Sequence, residues 1–297
     1  MLKPNYLKPG DKIAIVCTAR FVYKSDIEFA FNLLEKWQLQ PVLGRSIGLK
    51  YHQFGGTDAE RAFDLQNQIN NPDIKAIWCA RGGYGTTRIL DKIDFSSLLK
   101  HNKWMIGYSD ITALHLQLQH LGLCSLHAQM PVDIQNKSSK TIESLKQSLF
   151  ERPYPINYTS KFPSQSGQAK GKLIGGNLSV LYSVLCSKAI PHFKDKILFI
   201  EDLDEYLYHI DRMMLNLYRS GILKQLKGLI VGSLSDMNDN TTPFGQTAEE
   251  IIAHYTKKLN IPVAYDCPVG HGFENLALTL GAVIELKIND NEVSIVY

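Results

Sequence analysis

The chain has 297 residues, 44% hydrophobic and 21% charged, with a net charge of +3. That is a globular composition with room for one large or two ordinary domains, and it excludes a disordered chain. The mild charge is spread along the sequence rather than gathered on one face, which argues against a nucleic-acid partner.

The predicted elements alternate between strands and helices. Lys12–Cys17 is a short apolar run after Pro9-Gly10-Asp11 and reads as a buried strand. Residues 25–37 follow as a helix, with Ser25 as its expected N-cap. Thr57-Asp58-Ala59-Glu60 has the spacing of a capping box and opens a helix to about Asn70. Ile74–Cys79 is a second buried strand that runs into Arg81-Gly82-Gly83-Tyr84-Gly85, and Thr86–Ile93 is expected to be helical. Lys103–Gly107 is a third strand. It stops at Tyr108-Ser109-Asp110, where a helix to about Leu121 begins. A strand over Cys124–His127 and a helix over Ser139–Phe150 complete an N-terminal unit, residues 1–150. Strands and helices at this spacing predict βαβ units and a parallel, Rossmann-like sheet.

Residues 151–170, with Pro153, Pro155, Pro163 and Gly167, read as a linker. Residues 171–297 form a second, smaller unit. It has a Gly175-Gly176-Asn177 turn, strands over Lys196–Ile200 and Gly228–Gly232, helices over Tyr206–Leu223 and Thr247–Leu259, and a terminal β-hairpin about Asn289-Asp290-Asn291.

The N-terminus lacks the apolar core and cleavage site of a signal peptide, and no apolar run is long enough to span a membrane. The five cysteines include no Cys-x-x-Cys pair and are expected to be reduced, so a cytoplasmic location is anticipated.

Four segments could carry chemistry. In Ile106-Gly107-Tyr108-Ser109-Asp110, a strand delivers a serine at the start of a helix, as in a nucleophile elbow. Ile111 stands where an esterase elbow has its second glycine, so an ordinary α/β-hydrolase is disfavoured. From this segment alone, Ser109 or Asp110 reads rather as a helix cap. Arg81-Gly82-Gly83-Tyr84-Gly85 could bring backbone N–H groups against a ligand, or be a plain turn, and it fits neither a Walker nor a dinucleotide pattern. Glu201-Asp202 ends a strand, and one of the two carboxylates could orient a histidine or simply face solvent. His271, between Gly270 and Gly272, suits a general base or a surface loop. The remaining histidines form no metal-binding pattern, so no metal and no other cofactor is expected.

Taken in order, Arg81–Gly85, Gly107-Tyr108-Ser109-Asp110, Gly175-Gly176-Asn177, Glu201-Asp202 and Pro268-Val269-Gly270-His271-Gly272 resemble the LD-carboxypeptidase family over almost the whole chain. The resemblance implies a nucleophile, Ser109, on the N-terminal layer. It places Glu201 and His271 on a smaller β-rich C-terminal domain, with the site in the cleft between them. It further implies a serine peptidase that removes terminal D-alanine from murein peptides, acting as a homodimer. The oxyanion would be bound by the N–H groups of Asp110 and Gly83. Arg81 is a candidate for the substrate's terminal carboxylate, and Tyr84 for a pocket contact.

Two stretches depart from the family pattern: His127-Ala128-Gln129-Met130, where relatives often read His-Gly-Pro-Met, and Cys17-Thr18-Ala19-Arg20, in place of a Ser/Pro-rich turn. They put substrate choice in doubt. The alternatives are a microcin C-type self-immunity peptidase with the same triad, and a non-catalytic peptide-binding protein. A glutamine amidotransferase relative is disfavoured, because no cysteine stands at the elbow.

Overall fold

In the computed structural model, which describes residues 1–188 and 190–297, the chain builds two sheets. In chain order the strands are β1 (Lys12–Val16), β2 (Gln40–Leu43), β3 (Ile74–Cys79), β4 (Trp104–Gly107), β5 (Ser125–His127), β6 (Ile156–Thr159) and β7 (Gly167–Asn177). They continue as β8 (Lys196–Leu203), β9 (Gly228–Ser235), β10 (Val263–Ala264), β11 (Leu278–Leu280), β12 (Val283–Asn289) and β13 (Glu292–Val296).

The first sheet runs β11-β5-β4-β3-β1-β2. β1 to β5 are all parallel, and helices cover both faces. This explains why their sequences are nearly continuous apolar runs: in β4 all four residues are buried. Helix 58–70 starts at the anticipated capping box, with Glu60 N donating to Thr57 Oγ1 (3.2 Å) and Thr57 N donating to Glu60 Oε2 (2.7 Å). Ser25 does not cap its helix. It lies inside a 3-10 turn, Lys24–Ile27, that begins earlier because the Asp26 carboxylate accepts the Tyr23 N–H at 2.8 Å.

The second sheet runs β10-β9-β8-β7-β12-β13-β6 and is mixed. Its centre, β7, β8 and β9, is parallel, while β12, β13 and β6 pair antiparallel. The 151–170 segment, expected as a linker, is not free chain. β6 lies within it and pairs with β13, and β7 begins at Gly167. The prolines that suggested a linker fall outside β6. That strand sits at a sheet edge, where proline-flanked segments are tolerated. The two units also interlock: β11, from the C-terminal part of the sequence, closes the first sheet as an antiparallel strand beside β5. Among the described residues no helix is long and apolar enough to cross a membrane.

Candidate functional site

Three features of the backbone bring Ser109, Glu201 and His271 together. β4 ends at Gly107, and Ser109 then takes φ +62°, a left-handed conformation that disfavours a side-chain-bearing residue. The turn projects its hydroxyl away from the sheet before helix Thr112–His120 begins. Neither Ser109 nor Asp110 caps that helix. The Asp110 carboxylate is buried and accepts the Thr86 N–H at 2.8 Å, tying the elbow to the segment after Gly85. Burial pushes its pKa up, against the pull of those hydrogen bonds.

The elbow is docked on the second sheet. Asn177 N donates to Thr112 Oγ1 at 2.9 Å, and Asn177 pairs in register with Glu201 across β7 and β8. The β8–β9 register shifts between Ile200 and Asp202. Such an irregularity re-aims a side chain, and Glu201 is the residue at the break.

The chain then places His271 against it. Residues 267–269 run beside β9 through Cys267 N to Val231 O (3.0 Å) and Ser233 N to Val269 O (2.9 Å). Gly270 has φ +120°, and a Cβ there would lie 2.5 Å from Ser233 Oγ and 2.7 Å from Glu201 Oε2, so only glycine admits this approach.

The outcome is a hydrogen-bonded relay. Glu201 Oε2 lies 2.6 Å from His271 Nδ1, and His271 Nε2 lies 3.1 Å from Ser109 Oγ. Glu201 is fully buried. Burial alone would depress the imidazole pKa. The charge and hydrogen bond of Glu201 outweigh it and hold His271 above its ordinary value. Asp202, beside it, is raised to about 7 by burial and by the Glu201 charge, despite bonds from Asn177 Nδ2 and the Ser179 and Leu203 N–H groups.

The glycine segment borders the same point. A Cβ on Gly82 would lie 3.4 Å from Ser109 Oγ, so the Gly82–Gly83 backbone passes beside the hydroxyl. No described turn or loop hydrogen bond uses the N–H of Gly83 or Asp110. Tyr84 is exposed, its ring 6.2 Å from that of Phe54, so it sits outside the relay. Arg81 is half-buried, and no described contact places its guanidinium at the hydroxyl. Among the described residues no group of three His, Cys, Asp or Glu is placed to hold a metal. A recess of about 770 Å³ near Lys100 and Lys103 lies at the opposite, amino-terminal edge of the first sheet and contains none of these residues.

Sequence reasoning missed the residues that brace the histidine loop. Asn275 Oδ1 accepts the Gly270 N–H at 2.9 Å, and Asn275 Nδ2 donates to Gln129 Oε1 at 3.1 Å. The Tyr108 ring lies 4.9 Å from that of His271. Lys137 Nζ donates to Gly272 O at 2.8 Å. The only signal was that Gln129 departs from the family pattern. Both departures lie along the glycine segment: Met130 Cε and the Arg20 side chain lie against Gly82 and Gly83 respectively. His127 is fully buried beneath Tyr108. Burial, with the charges of His115 and His271, keeps its pKa far down.

Residues 13–128 match the LD-carboxypeptidase N-terminal domain, and residues 170–286 the LD-carboxypeptidase C-terminal domain. A probable murein peptide carboxypeptidase of Bacillus subtilis is 33% identical over 288 residues, covering 94% of this chain and 90% of that one. A murein tetrapeptide carboxypeptidase of Pseudomonas aeruginosa is 27% identical, covering 94% of each. The crystal structure of the muramoyltetrapeptide carboxypeptidase of Oxalobacter formigenes superposes with a TM-score of 0.87 at 28% identity, covering 96% of this chain and 97% of that one. With both domains matched in order, and with full-length relatives on the same two-sheet architecture, the chain belongs to the LD-carboxypeptidase family.

Proposed function

We propose that the protein is a serine-type LD-carboxypeptidase that releases terminal D-alanine from murein tetrapeptides, with Ser109 as nucleophile, His271 as general base and Glu201 as the orienting acid. The observation that carries this reading is the relay from Glu201 through His271 to Ser109, at 2.6 and 3.1 Å. The substrate class rests on what the relatives act on.

His271 Nε2 takes the Ser109 proton as Oγ attacks the carbonyl carbon of the L,D-peptide bond. The tetrahedral oxyanion is met by the N–H groups of Asp110 and Gly83, aided by the nearby amino end of helix 112–120. His271 then gives its proton to the departing amine of D-alanine. Water, deprotonated by His271, hydrolyses the ester and frees Ser109. Throughout, Glu201 keeps Nδ1 protonated and stabilises the imidazolium. Arg81 and Tyr84 would border the substrate rather than join the chemistry.

All five cysteines are free, and four of them are buried, which suits a reducing compartment and supports a cytoplasmic site of action. A homodimer is the expected assembly, to be checked by light scattering.

The test is mass spectrometry of the purified protein with a tetrapeptide ending in an L-diamino acid and D-alanine, beside Ser109→Ala. Wild type alone should release D-alanine, with the variant slower by several orders of magnitude. Equal turnover by both would remove Ser109 from the mechanism. A wild type inert on the peptide but active on an aminoacyl nucleotide would replace the substrate assignment with the microcin type.

A further inference from the structure

We propose that Arg20 binds the free carboxylate at the substrate's C-terminus and so makes this site a carboxypeptidase rather than an endopeptidase site. The inference rests on the LD-carboxypeptidase reading above. It begins with the paired glycines. The backbone at Gly82 adjoins the nucleophile: a Cβ there would stand 3.2 Å from Ser109 Cβ and 3.4 Å from its Oγ. One residue later the neighbour is Arg20. A Cβ on Gly83 would stand 2.6 Å from Arg20 Cδ, 2.7 Å from Nε and 2.9 Å from Cγ. The arginine stem therefore lies across Gly83 in space that any other residue would fill, and the guanidinium begins there.

The backbone fixes this placement. Arg20 N donates to Gly82 O at 3.3 Å, and Arg20 bridges to Phe54. The turn after β1 is thereby fastened to the glycine segment after β3.

The charge is also uncommitted. Arg20 is exposed, and among the described residues its guanidinium has no ion pair and no side-chain hydrogen bond. Other nearby cations are engaged. Arg61 and Arg88 share Asp58, and Lys137 donates to Gly272 O and lies 3.6 Å from Asp133. Arg81 has no such engagement, but nothing places it against the glycines.

The chemistry supplies the ligand. In a C-terminal residue the carboxylate carbon is only three bonds from the attacked carbonyl carbon, within about 4 Å. A group that recognises it must stand beside the nucleophile and remain open to solvent. It must also present paired donors to two oxygens, which guanidinium does better than ammonium. Arg20 meets these conditions. A peptide that continued past this point would place an uncharged amide there, and substrate discrimination would follow from that difference.

The test compares kcat/KM on two tetrapeptides, one ending in free D-alanine and one in D-alaninamide, each in its L-lysine and meso-diaminopimelate forms. Wild type, Arg20→Ala, Arg20→Lys and Arg81→Ala are assayed after thermal melts have shown each to be folded. Wild type should prefer the free acid. Arg20→Ala should lose roughly 10- to 100-fold on the acid, mainly through KM, so that the acid/amide ratio collapses toward one. Arg20→Lys should fall between. Equal losses on both substrates would instead place Arg20 in loop support or oxyanion binding and overturn the proposal. Collapse of the ratio in Arg81→Ala alone, or no preference in wild type, would overturn it as well. A wild type that cleaves neither peptide removes the functional reading and Arg20 with it. A wild type that cleaves the acid while Arg20→Ala keeps the preference removes Arg20 alone.

Discussion

The brace behind His271, the proposed general base, can be tested by Asn275→Ala. Asn275 is fully buried, and its amide makes two bonds: Oδ1 to the Gly270 N–H and Nδ2 to Gln129 Oε1. Truncation orphans one donor and one acceptor in places that water does not reach. Each such group costs about 1–3 kcal/mol, and partial relaxation brings the expected loss to about 2–4 kcal/mol. A protein with a typical 5–15 kcal/mol of stability survives this and stays folded. Activity should suffer separately, because Gly270 immediately precedes His271. A shift of about 1 Å in a catalytic group can cost about 100-fold in kcat, with little change in KM. Urea melts read the first effect. The second is read by peptide turnover and by the rate at which a fluorophosphonate labels Ser109, a reaction that needs the relay but not the peptide. Gln129→Ala should show a related phenotype, and the double variant should be less than additive by about 0.5–3 kcal/mol. If Asn275→Ala is destabilised but labels at the wild-type rate, the network holds the fold and does not position the histidine. Full additivity would mean that the Asn275–Gln129 bond contributes nothing.

Three further predictions concern the relay itself. His271 has its pKa raised by Glu201 above the ordinary imidazole value of 6.5, and in the proposed mechanism the neutral imidazole is the base. In Glu201→Gln the acid limb of kcat/KM should therefore move to lower pH while the maximum rate falls, and an unmoved limb would show that another group titrates. In stability, a raised folded pKa means that the His271–Glu201 pair contributes fully below pH 6.5 and loses its contribution as pH rises through the folded value. That alkaline decline should be absent from urea melts of Glu201→Gln. Ser109 holds φ +62°, so Ser109→Gly should be about 1 kcal/mol more stable than Ser109→Ala, although both should be inactive. The reverse order of urea midpoints would contradict a strained elbow.

The alternation of apolar runs with helical periodicity was enough to predict β1, β3, β4, β5 and most of the helices between them, though not the short helix Ser96–Lys100, because strands buried on both faces announce themselves locally. Ser109, Glu201 and His271 could be nominated because each sits at a strand end or in a glycine-flanked loop. They could be given roles only through resemblance to a family, since spacing alone left Ser109 open as a helix cap. Short edge elements escaped. β2 is four residues long, β6 lies among prolines, and β11 has three residues whose partner, β5, lies some 150 positions earlier. The supports of the site escaped for the same reason. Gln129 and Asn275 are 146 positions apart, and Arg20 meets Gly83 across the turns that follow β1 and β3, neighbours in the sheet but not in the chain. Local pattern reflects the period of a helix or strand and the chemistry of a turn. Which buried polar group satisfies which, and which cation is left without a counterion along the glycine segment, is decided only when distant segments pack and water is excluded from between them.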